Sequence, residues 1–514
     1  MTEVNEVNPM SDPTLEHERD QPPKRRNKKR ARGDRRGIAL LLVLSSIALM
    51  TITVVDFQED QLTDLQSAYA EKDALVAEYM AKSGVNLARL FVASEPTMRK
   101  ALVILSFMFG GKPVPQLPIW EFSDMVLGAF SDKDGQDAFA NIGGYDMNGA
   151  KNLGGPEGAK FQITVVDEDS KININLGARG NVIAENRFGL AFLGLTSAPM
   201  YDPLFEKNDR DGNTSPRQSI CGALMDWADP DEIGYPCDPR NFQGGGSSAG
   251  EDMGTMMLPR PYRVKNAAYD SLEEARLVRG MGDDFWSTFV DPDPTNPKKR
   301  VMTVWGQGPI NVNTASPQAV IGMVCGLAPD AIVCTDPAKN MQFLTMFGVL
   351  RTFTAGIPLF GSGGDFVNTM QGTGTYGKLL FETLSIPPVR FQSPAEAAKN
   401  FVTESKVFSI YATGSVDTFR KVDGQKKVIR TTRMLVHVVV DYRGAPQIPN
   451  VANIPGATPP PGSPTTTPSL TQVQGGQAGA PQGANGLPAG AGADAIGGAL
   501  IASPAGTIVY YRVE

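Results

Sequence analysis

From Ile38 to Val55 the chain runs IALLLVLSSIALMTITVV, eighteen residues without a charge. As an α-helix rising about 1.5 Å per residue, such a run extends roughly 27 Å, near the hydrocarbon thickness of a bilayer. A core helix of that length in a globular domain carries a polar face. Here the polar positions are only Ser45, Ser46, Thr51 and Thr53, whose hydroxyls can bond back to the helix backbone. Nine Lys or Arg residues against a single acid, Asp34, lie between Lys24 and Arg36. The positive-inside rule therefore places residues 1–37 in the cytoplasm and the bulk of the chain on the far side of the membrane. An RNA-binding arm is the rival use for such a basic run. The formal net charge of −7 makes the rest of the chain acidic, which argues against a nucleic-acid partner.

A secretory signal peptide has a shorter apolar core and ends in a small-x-small cleavage site. This run leads instead into DFQEDQLTDLQ, which has no such site. At its front, Arg35-Arg36-Gly37 followed at once by the apolar run resembles the processing site of type IV prepilins and pseudopilins. The resemblance implies cleavage between Gly37 and Ile38 by a prepilin peptidase, N-methylation of Ile38, and retention of the helix. Leu62, Leu65, Tyr69, Leu75, Val76, Tyr79, Met80, Leu87, Leu90 and Phe91 then fall largely at spacings of three and four. They predict an amphipathic continuation of the same helix as a stem packed on a small sheet. A coiled coil is the alternative, but the stripe is too irregular for a strict heptad.

Period-2 alternation marks FQITVV (Phe161–Val166) as a strand, with a turn over Asp167–Lys171 and a short strand at ININ. Three more strands are predicted in Ser405–Phe419, Thr431–Arg443 and Thr507–Glu514, with Asp423-Gly424 as a hairpin turn. Between these strands Asp270 or Ser271 is positioned to cap a helix from Leu272, and Thr314 or Ser316 a helix entered through Pro317. The expected fold is α+β: a pilin-like long N-terminal helix packed on an antiparallel sheet, with a large inserted all-α subdomain. The expected organisation is a basic leader at 1–37, a membrane segment at 38–55 and a stem with first strands at 56–176. The helical insertion follows at 177–395 and the C-terminal strands at 396–443. A Pro/Gly/Ala-rich loop, too poor in large apolar residues to form a core, fills 444–506 before a final strand at 507–514.

ALMDWADPDE, PYRVKNAAYDSLEEARLVRGM and GPINVNTASPQAV, in that order after KININ, resemble signatures of the K-type minor pseudopilin (GspK family) of type II secretion. Counting from Ile38, the fifth mature position is Leu42, where major pilins carry glutamate; K-type pseudopilins share this lack. The resemblance implies a non-enzymatic subunit that caps and initiates the pseudopilus tip. It implies I- and J-type minor pseudopilins, the major pseudopilin, prepilin peptidase, the inner membrane and secreted cargo as partners. Single-pass anchoring with a cytoplasmic N-terminus and a periplasmic body goes with it. Departures from the family pattern are the long leader, the GGGSSAGEDMG stretch and the 444–506 loop. A minor pilin or adhesin of a type IV pilus, or a membrane-anchored periplasmic enzyme, are the alternatives.

Four cysteines form two local pairs, Cys221 with Cys237 and Cys325 with Cys334, spacings that suit disulfides in an oxidising compartment, although three connectivities are open. Zinc is a weak rival, because neither pair is C-x-x-C and the chain has only two histidines. No Walker A or H-E-x-x-H constellation is present. Asp226, Asp229, Asp231 and Glu232 offer hard oxygen ligands suited to Ca²⁺, which the resemblance also implies; helix capping or simple solvation is the plainer use. Asp209 and Asp211 form a second candidate site, short of a complete EF-hand loop. Asp167, Glu168 and Asp169 read as a turn.

Overall fold

The computed structural model describes residues 36–101, 114–128, 131, 156–208, 214–238, 251, 253–256, 261–353, 357–384, 387–422, 424–445 and 504–514. The basic leader up to Arg35, Asp209, Asp211, Asp423 and residues 446–503 of the Pro/Gly/Ala-rich loop lie outside the described residues. Two compact units divide the chain, Met1–Tyr69 and Ala70–Glu514.

Helix α1 (Arg36–Ala101) begins at the Arg-Gly-Ile junction. Within the first unit, every residue from Ile38 to Tyr69 is exposed, including the whole apolar run. The four hydroxyls in that run do bond backwards: Ser45 to the Leu42 carbonyl, Ser46 to Val43, Thr51 to Ile47 and Thr53 to Met50, at 2.8–2.9 Å. Each hydroxyl proton is thereby satisfied within the helix, which suits lipid. By length and composition this helix is long and apolar enough to cross a membrane.

In the second unit, α1 packs on a four-stranded antiparallel sheet of order β1 (Ala159–Asp167), β6 (Val407–Val422), β7 (Gln425–Asp441) and β8 (Thr507–Val513). Gly424, at φ +80°, closes the β6–β7 hairpin, and Val422 pairs with Gln425 across the turn. Alternate residues of the strands, among them Ile163, Val165, Ile410, Ala412, Val436 and Val438, form one core with α1. The helix face that meets them is Ala81, Val85, Ala88 and Val92, with Ala77 in an adjoining cluster. The large residues of the expected stripe divide. Val76, Met80, Leu87 and Phe91 pack at the edge of the contact, whereas Leu75, Tyr79 and Leu90 are more than half exposed. Backbone proximity is the reason. A Cβ on Gly414 of β6 would lie 1.8 Å from the Ala77 carbonyl oxygen, so at that crossing the sheet needs a glycine and the helix small residues, Ala77 and Ala81.

The chain between β1 and β6 builds a second core. Its centre is the crossing of α2 (Val182–Thr196) with α4 (Pro317–Leu327), and α3 (Arg217–Asp226) packs beside them. Gly194 of α2 meets Gly322 and Gly326 of α4 so closely that a Cβ would lie 1.9 Å from the Gly322 carbonyl oxygen. Ser316 caps α4 by accepting from the Ala319 amide at 3.1 Å, and Pro317 occupies its first turn. The helix expected from Leu272 is instead a 3-10 turn over Leu272–Leu277 without a Ser271 side-chain cap. Glu274 reaches back to accept from the Asp270 amide at 2.8 Å, and that local bond takes the place of the cap. Two parallel pairs of two residues each join this region to its flanks: β2 (Ile172–Asn173) with β3 (Met302–Thr303), and β4 (Ile310–Asn311) with β5 (Phe401–Val402).

Candidate functional site

The motif DWADPDE begins at the C-terminal end of α3, and PYRVKN…SLEE is folded over it. Trp227 stacks on Tyr269 with ring centroids 6.3 Å apart, and its carbonyl accepts from the Ala267 amide. Asn266 donates to the Asp231 carbonyl at 2.6 Å, from a left-handed backbone (φ +48°) that asparagine tolerates better than most residues. Lys265 ties the far side down through Asp270 at 2.9 Å and Glu274 at 2.8 Å. Cys221 on α3 is joined to Cys237, closing a loop of sequence separation 16 around the acidic turn; Cys325 and Cys334 are joined at the end of α4.

Two acids of that loop, Asp226 and Asp229, and Glu251 from beyond it have oxygen atoms within 4.8 Å of one another. Asp226 accepts from the Tyr235 amide at 2.6 Å. Asp229 is only 5 % exposed, yet its Oδ1 has no hydrogen-bond partner, and both carboxylate oxygens of Glu251 and Oδ1 of Asn266 are likewise orphaned. Burial, followed by repulsion from Asp229 and Asp231, pushes the Asp226 carboxyl up to about 7. Burial also raises Asp229 and Glu251, and each is raised further by neighbouring carboxylates. Three carboxylates converging without a cation is costly on both counts, desolvation and like-charge repulsion. The donor set is all oxygen, three carboxylates with the Asn266 carbonyl beside them, and fits a hard divalent ion such as Ca²⁺ rather than a nitrogen- or sulfur-seeking metal.

Of the expected ligands, Asp226 and Asp229 are in this group. Asp231 and Glu232 are exposed on the same turn and outside it; Asp231 Oδ1 instead accepts from the Ile233 amide at 2.8 Å. Glu251 is the member that sequence reasoning missed. It stands in GGGSSAGEDMG, and the available signal was an acid next to a Gly/Ser-rich run.

Asp167, Glu168 and Asp169 do form a turn, but it is buried where the sheet meets the second core. Asp167 accepts from the Thr314 and Ser405 hydroxyls, and Asp169 from the Gln307 side chain and the backbone amides of Gln307, Lys406 and Val407. Glu168 pairs with buried Lys171 at 3.3 Å and accepts from Thr303 at 2.5 Å. Burial raises Asp167, with the Asp169 charge adding to it. Glu168 is held below the usual carboxylate range because Lys171 and hydroxyl donors outweigh its burial.

These features define an α+β protein with a pilin-like long helix on an antiparallel sheet and a second, helix-rich core between its first two sheet strands. No protein-family model and no curated protein matches the chain. Among solved structures, it is similar to a chain of the GspK-GspI-GspJ complex of the enterotoxigenic Escherichia coli type 2 secretion system. The match has 12 % identity, covers 56 % of this chain and 76 % of that chain, and has a TM-score of 0.31. At that score no residue role passes from one chain to the other.

Proposed function

We propose that this chain is a minor pseudopilin of a type II secretion system, a non-catalytic subunit that caps and initiates the pseudopilus tip. The observation that carries the reading is the division of labour along α1. Its first stretch is apolar on all sides and fully exposed, suited to lipid or a filament core. Its later stretch seats a small-residue face on the sheet and leaves Leu75, Tyr79 and Leu90 outward. Outward apolar residues on a rod of this kind mark a packing surface for other helices, here the stems of I- and J-type minor pseudopilins and the major pseudopilin. In this reading a prepilin peptidase cuts between Gly37 and Ile38, and the chain sits in the inner membrane with its N-terminus cytoplasmic and its body periplasmic. The cluster of Asp226, Asp229 and Glu251 holds Ca²⁺ as a structural ion that keeps the acidic turn folded. Contact with secreted cargo falls to the bulky region between β1 and β6.

Photo-crosslinking from position 79 in intact cells tests the assembly. Crosslinks to the stems of other pseudopilins are the expected result. A membrane-inserted protein that crosslinks to none of them, and co-isolates with none, would remove the proposal.

A further inference from the structure

The sheet face turned away from α1 carries a polar cavity of about 470 Å³, within the size range of small-molecule sites (~300–1,000 Å³). Ser409 and Tyr411 on β6, His437 on β7 and Tyr510 on β8 form one wall; Glu273, Arg300 and Trp305 stand on the other. These positions alternate with those of the α1-facing core, so their side chains point into the cavity.

Its charges cancel locally. Lys171 has Glu168 at 3.3 Å, Arg300 has Asp291 at 3.0 Å and Glu273 at 3.7 Å, and Arg512 has Glu514 at 2.8 Å. The remaining acid, Asp270, is held by Lys265 at 2.9 Å. A charged ligand would find no uncompensated counter-charge here, and an apolar one would strand the pairs without water. The groups left over are neutral. His437 Nε2 has no hydrogen-bond partner among the described residues, and the Ser409 hydroxyl sits beside Glu168 without closing a bond of normal geometry. Around them stands a run of rings: Tyr411 parallel to His437 at 4.1 Å, His437 against Tyr510 at 5.1 Å, and Tyr510 against Trp305 at 5.6 Å.

Aromatic faces beside unpaired neutral donors and acceptors match one ligand chemistry well. A sugar ring offers C–H faces to stack on aromatics, hydroxyls that both donate and accept, and no charge. We propose that this cavity binds a short neutral oligosaccharide, stacked on Trp305 and Tyr510 and hydrogen-bonded through His437 and Ser409. The proposal stands independently of the pseudopilin reading.

The test uses the full chain in a detergent without a sugar headgroup, since glycosidic detergents would compete. Maltotriose, cellotriose and chitotriose are titrated by calorimetry, with the anionic trimer of galacturonic acid as the contrast. At least one neutral trimer is expected to bind saturably and more tightly than the anionic one. Trp305→Ala should weaken it by about tenfold or more through loss of stacking. Ser409→Ala, which removes one hydroxyl and no packing volume beyond it, should weaken binding by a smaller factor, measured well below the melting temperature of the variant. That variant keeps the test decisive if Trp305→Ala fails to fold. No saturable binding of any neutral trimer up to about 10 mM, equal binding of the anionic trimer, or binding indifferent to Ser409→Ala and Trp305→Ala alike would overturn the assignment.

Discussion

Two groups of three carboxylates lie in the unit Ala70–Glu514, and they differ in what satisfies their oxygens. Around Asp167, Glu168 and Asp169 the protein itself supplies hydroxyls, amides and the Lys171 ammonium. Around Asp226, Asp229 and Glu251 it supplies little beyond the Tyr235 amide, and Asp229 and Glu251 keep orphaned oxygens. Burial alone therefore does not identify a binding site, because Asp229 is buried about as deeply as Asp167 and Glu168. The count of unmet acceptors separates an acid cluster that fastens a fold from one that leaves oxygens for an outside partner, which in the proposal above is Ca²⁺.

The largest effect expected from this contrast is at the satisfied group. Glu168→Ala leaves Lys171, only 3 % exposed, as a buried charge without its partner, and should cost about 3–5 kcal/mol in denaturant melts. An unchanged midpoint would show that the group is not a fastening.

At the orphaned group the sign reverses. Ca²⁺ at a hundred times its dissociation constant should stabilise the protein by about 2.7 kcal/mol, read as a rise in melting temperature against a chelator control. Asp229→Asn should abolish that rise. In chelator, the same variant should be more stable than wild type by roughly 1 kcal/mol, since it removes a buried charge from a repelling trio. A destabilised variant in chelator would erase the distinction between the groups.

An effect smaller than the Ca²⁺ rise belongs to a buried base outside both. Burial holds His437 down to about 4, so the folded state keeps it neutral while the unfolded chain takes up a proton near its ordinary 6.5. The unfolded state thus binds more protons between those values, and the stability contributed by the neutral ring is complete above pH 6.5 and lost as pH falls toward 4. His437→Phe should gain on wild type progressively across that window, by about 1–2 kcal/mol near pH 5. A stability difference flat in pH would show that His437 does not carry this linkage.

Much of the sheet module was legible because its signals are local. Alternation in FQITVV, the Asp-Gly turn and the β-branched run MLVHVVV each act over a few residues, and the strands fall there. The membrane-length helix was legible for the same reason. The face of α1 that meets the sheet was not. Large residues suggested the stripe, but the contact is decided by how closely Gly414 lets two backbones approach, a property of the pair rather than of the helix. The acidic site was half legible. Asp226 and Asp229 stand in one motif, whereas Glu251 arrives from a distant Gly-rich stretch, and Asp231 and Glu232 are turned to solvent by the same turn that buries Asp229. The buried roles of Asp167 and Asp169 depend on donors from Gln307 and Ser405–Val407, more than a hundred residues downstream, which no spacing rule reaches.

Mass spectrometry of the N-terminus, on protein extracted from membranes of cells with an active prepilin peptidase, tests the membrane-anchored pseudopilin reading most directly. The account predicts a chain beginning at Ile38 with a methylated amine. A chain that keeps its basic leader, or a soluble form beginning beyond Val55, would contradict it.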